Sequence, residues 1–161
     1  MRPALSRCLI GAAFVGCLAF ADVAGADDVV LTLDGNVGKT CRWTDAQLKA
    51  MPRTDVRPDE QSAVYSGVAL AVLLDRCKVK HGGSVGGHDA AGYLHAEGRD
   101  GFAAVFTLIE IDGDAILVAD ALDGRALSPE DGPLRLIASA DPRKGRWIKQ
   151  LTLLRVKQSS K

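Results

Sequence analysis

The chain has 161 residues, 47% hydrophobic and 25% charged, with 20 basic against 20 acidic side chains and a formal net charge of zero. That length suits one domain with a core of its own. The charge balance leaves no basic footprint for nucleic acid or an anionic membrane, so no nucleic-acid partner is expected.

Residues 1–26 read as a cleaved signal peptide. Arg2 and Arg7 make a basic start, residues 8–21 are apolar and rich in Gly and Ala, and Ala24-Gly25-Ala26 is an A-x-A cleavage site ahead of Asp27-Asp28. The apolar run falls short of the roughly 20 residues a spanning helix needs. An uncleaved anchor and a lipid-modified Cys17 are the alternatives. The expected mature domain is 27–161, periplasmic or secreted. Cys8 and Cys17 leave with the signal, and Cys41 and Cys77 are expected to form a disulfide in an oxidising compartment. The alternative is two buried free thiols.

Residues 29–33 form an apolar strand candidate closed by the turn signal Asp34-Gly35-Asn36. Residues 44–51 read as a short helix: Thr44 and Gln47 make a capping box, Trp43 and Leu48 a hydrophobic staple, and Pro52 a stop. Residues 53–62 are polar, carry Pro58, and read as a strand end and loop. A second helix follows Gly67-Val68, with Leu70, Leu73, Leu74 and Cys77 on one apolar face. Gly82, Gly83, Gly86, Gly87 and Gly92 make residues 81–92 a loop. Strands are expected at 93–97, 102–111, 115–119, 134–138 and 147–156, with a tight turn at Asp123-Gly124. The second of these is apolar on both faces and reads as the central strand. Helices early and strands late indicate α+β: a single-domain mixed, largely antiparallel sheet with a few short helices.

Four segments of the last third follow one another: Arg99-Asp100-Gly101-Phe102, Asp123-Gly124-Arg125, Gly132-Pro133-Leu134-Arg135-Leu136 and Arg146-Trp147-Ile148-Lys149. In order and spacing they resemble the molybdopterin-binding domain of the sulfite-oxidase-like oxidoreductases, over residues 29–156. The resemblance implies the mixed α+β fold, molybdopterin as cofactor, and a redox or membrane-bound partner protein. It also implies that Arg146 and Lys149 approach the cofactor's phosphate and pterin, a role suited to the planar donor fork of arginine. The bland reading of Arg143, Lys144, Arg146 and Lys149 is a solvated basic turn. Arg135, inside an apolar strand, must pair with a carboxylate or reach a polar face, and ligand recognition is its second reading.

In that family a cysteine ahead of a GVxL segment ligates molybdenum. Gly67-Val68-Ala69-Leu70 is present here, yet residues 53–66 contain no cysteine. Asp55, Asp59, Glu60 and Ser62 are not soft donors, and neither Cys41 nor Cys77 matches the position. The expectation is a catalytically degenerate domain that holds a pterin-type or other small anionic ligand. Two alternatives stay open: an active oxidoreductase with unusual ligation, and a non-catalytic partner-binding module. Asp100 reads as a turn cap. His81, His88 and His95 read as ordinary loop histidines, with no metal site expected. Ser84 lacks the setting of a nucleophile elbow, and the glycine loop lacks phosphate-binding signatures.

Overall fold

The protein is described by a computed structural model over residues 28–59, 63–141 and 144–158. The signal peptide expected at 1–26, together with Cys17, Glu60, Ser62 and Arg143, lies outside the described residues. Strand β1 (Val29–Gly35) alternates, burying Leu31 and Leu33. Gly35 takes φ 94° at the turn, and the chain returns antiparallel as β2 (Cys41–Thr44). Thr44 then caps helix α1 (Asp45–Lys49): the Gln47 N–H donates to Thr44 Oγ1 at 3.3 Å and the Thr44 N–H to Gln47 Oε1 at 3.1 Å. This is the capping box read from the sequence.

Strands β3 (Thr54–Val56) and β4 (Tyr65–Ala69) pair antiparallel, and β4 runs straight into helix α2 (Leu70–Arg76). Leu70, Leu73, Leu74 and Cys77 are all buried, as their spacing required. The glycine-rich loop holds only two short 3₁₀ turns. Beyond it come β5 (Gly92–Gly98), β6 (Ala103–Thr107), β7 (Ile116–Leu122), β8 (Arg125–Ala126), β9 (Arg135–Ala138) and β10 (Leu151–Gln158).

One sheet has the order β2-β1-β10-β5-β6, and the other is β3-β4-β7, with β8 and β9 pairing β7. Only β1 with β10 is parallel; every other named pair is antiparallel. The two-residue turn Asp123-Gly124 takes positive φ at both positions (49° and 73°), the geometry that matches strand twist in a hairpin. One apolar cluster draws on both sheets and both helices, with Leu33, Leu73, Leu94, Phe106, Leu117, Leu136 and Leu154 fully buried. Each such side chain contributes about 1.5–3 kcal/mol. Among the described residues no helix is long and apolar enough to cross a membrane.

Two expectations need correction. Residues 102–111 are not the central strand: β6 is a sheet edge, with Phe102, Val105 and Ile109 exposed, and Leu108–Glu110 is a 3₁₀ turn. The Thr107 N–H donates to Glu110 Oε1 at 2.6 Å, a cap that ends the strand. The central strand is β7, whose first five residues are buried on both faces. The last strand also begins later than Trp147, because Gln150 at φ 47° breaks the chain before Leu151.

Candidate functional site

Antiparallel backbone bonds bring two of the basic segments together. Leu136 and Ile148 exchange a pair of hydrogen bonds, the Leu151 N–H donates to Leu134 O, and the Gln150 N–H to Asp131 O. Asp131, Arg135 and Lys149 therefore converge. Asp131 Oδ1 lies 3.2 Å from an Arg135 guanidinium nitrogen and 3.0 Å from Lys149 Nζ. Burial pushes the Asp131 carboxyl up, but the Lys149 ammonium and the Arg135 guanidinium beside it outweigh that. The net result is below its ordinary 3.8.

The Arg135 side chain is 14% exposed and packs against two aromatic rings. Its guanidinium carbon is 5.8 Å from the centroid of Tyr65 and 5.5 Å from that of Trp147, and those rings meet edge to face at 5.6 Å. Trp147 Nε1 donates to Ala138 O at 3.0 Å, and Lys144 Nζ sits 5.0 Å from the Trp147 ring. Arg135 Nε is buried without a hydrogen-bond partner among the described residues. Tyr65 also connects this cluster to the interval in which the thiolate was sought, since β4 pairs with β3 through Val56 opposite Tyr65 and Asp55 opposite Ser66. Ser66 Oγ donates to Asp55 Oδ1 at 2.6 Å.

Arg146 belongs to a separate group. Its Nε and terminal nitrogen grip Asp141 at 2.8 and 2.6 Å, another nitrogen reaches Glu110 at 3.1 Å and Val105 O at 3.3 Å, and its carbon lies 4.7 Å from the Phe106 ring. The Asp141 hydrogen bond dominates and raises its pKa, against the effect of burial. A third pair, Arg53 with the buried Asp120, is bidentate at 2.7 and 2.5 Å and joins the residue ahead of β3 to β7.

Arg135, Arg146 and Lys149 are thus each seated on a carboxylate. Asp131, Asp141 and Glu110 were missed from sequence, because the partners lie in turns, where spacing carries no face. Asp100 does what the sequence suggested: its Oδ1 accepts from the Phe102 N–H at 3.0 Å beside Gly101 at φ 81°. His81 is tied to Ile111 O at 3.0 Å and Asp75 at 3.1 Å, while His95 lies on β5. Among the described residues no three His, Cys, Asp or Glu side chains are grouped to hold a metal. Cys41 and Cys77 are joined in a disulfide, with Cα atoms 6.1 Å apart, so neither offers a free thiolate.

Comparison with known proteins matches residues 58–161 to the oxidoreductase molybdopterin binding domain. Among curated proteins no sequence matches significantly. Among solved structures, the sulfane dehydrogenase SoxCD from Paracoccus pantotrophus is similar, with a TM-score of 0.65 and 23% identity over 83% of this chain. The match spans 39% of the length of that chain. At this identity the likeness establishes the fold alone.

Proposed function

Because this chain belongs to the oxidoreductase molybdopterin binding domain family, we propose that it is an exported, catalytically silent member that works as a binding module for a partner protein. The observation that carries this reading is the state of its cysteines. A soft thiolate is the protein donor suited to molybdenum. Cys41 and Cys77 are spent on each other, and residues 53–66 supply no other thiol. The residues present do not fit a thiolate-held molybdenum centre, and no step is derived through one.

The cations assigned to the cofactor's phosphate support the same reading. Arg135 and Lys149 are held by Asp131, and Arg146 by Asp141 and Glu110. An incoming phosphate would have to displace a carboxylate already in place and leave it unpaired, at a cost of about 1–3 kcal/mol each. Export is supported by the leader at residues 1–26 and by the disulfide, which persists in oxidising compartments.

The test is metal analysis with pterin fluorescence on protein purified from its exporting compartment. It is paired with assays of sulfite oxidation and sulfoxide reduction using artificial electron carriers. No stoichiometric molybdenum and no turnover are expected. Turnover that scales with bound molybdenum and survives Cys41→Ser with Cys77→Ser would overturn the proposal.

A further inference from the structure

Among the described residues about half of the cations sit on a carboxylate, and four that make no ion pair are gathered in one place. Lys39 and Arg42 flank Cys41, Arg76 and Lys78 flank Cys77, and the disulfide binds the two segments together across 36 positions of sequence. All four cations are exposed, and none makes an ion pair with a described residue. Elsewhere Lys49, Arg53, Lys80, Arg135, Arg146, Lys149 and Arg155 each have a carboxylate.

These cations line a furrow made of adjoining clefts that share residues. One cleft runs between Arg42, Lys39 and Arg76. A second shares Lys39 and Arg76 with it and continues to Lys78. A third shares Lys78 and ends at Lys80, whose charge is met by Asp89 at 3.1 Å. No carboxylate lines the first two clefts. Asp75, on the adjoining turn of α2, is already engaged by His81.

We propose that this furrow docks an extended acidic segment of a partner protein, its carboxylates lying along Arg42, Lys39, Arg76 and Lys78. A row of like charges in a neutral protein repels itself and is relieved when an anionic chain neutralises it. Cations spread over more than one cleft suit a chain of carboxylates more than a compact anion, and the disulfide holds both cation-bearing segments before the partner arrives, so little ordering is needed on binding. The assignment rests on the binding-module reading but fails separately from it, since its test reads binding at the furrow and not turnover.

The test is fluorescence anisotropy of the mature, disulfide-intact protein with a labelled peptide of alternating glutamate and serine. Binding is expected at low salt, falling steeply as salt rises. Lys39→Glu with Arg42→Glu should weaken it by about tenfold or more. Arg99→Glu with Arg125→Glu, an equal change of charge at exposed cations outside the furrow, should leave it within about twofold. Thermal melts of both double variants confirm that each is folded. Equal losses in the two double variants would overturn the proposal. So would absence of peptide binding, or tighter binding to anionic vesicles or a single-stranded oligonucleotide than to the peptide.

Discussion

Replacing Asp131 by asparagine removes the charge shared by Arg135 and Lys149 while keeping the shape of the side chain. At 3.2 Å the Arg135 pair is worth about 5 kcal/mol of Coulomb energy at an effective dielectric near 20. Desolvation of the guanidinium takes back most of that in the intact protein, but not once the partner is gone. Losing one member of a fully buried pair costs about 3–5 kcal/mol. Arg135 would keep the faces of Tyr65 and Trp147, worth about 1 kcal/mol together. Lys149 is 48% exposed, and its share is about 1 kcal/mol or less. The expected net loss is about 2–3 kcal/mol, or about 10 °C in Tm for a domain of this size.

Arg135→Met should cost less than Asp131→Asn, because Asp131 retains Lys149 and no buried charge is stranded. The pH profile gives an independent reading. The Asp131 carboxyl titrates below its ordinary 3.8 in the folded state, so its contribution is complete above that value and is lost as pH falls through the folded pKa. Urea unfolding at neutral pH and Tm from pH 7 downward should show the wild type and Asp131→Asn converging only below the ordinary carboxylate range. A loss under about 0.5 kcal/mol at neutral pH, or a gap between the two that does not close in acid, would refute the reasoning.

Removing the Cys41–Cys77 bridge by the double serine variant should cost about 3–4 kcal/mol for a 36-residue separation in the chain-entropy model, read as a drop in the urea midpoint. Alkylation of denatured, unreduced wild type should leave both thiols unmodified in the intact mass. Gly67→Ala should destabilise by about 3 kcal/mol, since a Cβ there would run into the Val118 carbonyl and the Ala119 backbone of β7. Gly86→Ala meets nothing within 4 Å and should be close to neutral, which makes it the control in the same unfolding assay.

Residues near one another in sequence carried the legible part of the fold. Thr44 with Gln47, Asp123 with Gly124, and Leu70 with Leu73, Leu74 and Cys77 interact within a turn or two. Their chemistry therefore specifies a cap, a hairpin turn and a buried helix face before any tertiary contact forms. The disulfide was half legible: only two cysteines lie beyond residue 26, but their distance depends on how β2 meets the end of α2. Residues 102–111 show where pattern misleads. Apolar residues on both faces indicate burial, yet Val105 is exposed on an edge strand and Ile109 on the 3₁₀ turn that follows it, and the strand's place in the sheet is set by its pairing with β5.

By itself, the sequence determined the class of the fold, the cap at Thr44, the turn at Asp123-Gly124, and the lack of a thiolate in residues 53–66. All of these are local properties of composition and spacing. Only the tertiary structure decided that β1 lies parallel to β10, with Thr32 opposite Leu153, and that Asp131 captures both Arg135 and Lys149. Only the tertiary structure, too, gathers Lys39, Arg42, Arg76 and Lys78 around one disulfide. A charge reads the same in a sequence whether it is paired or free, and its partner is chosen by chain reversals that bring distant segments within a few ångströms.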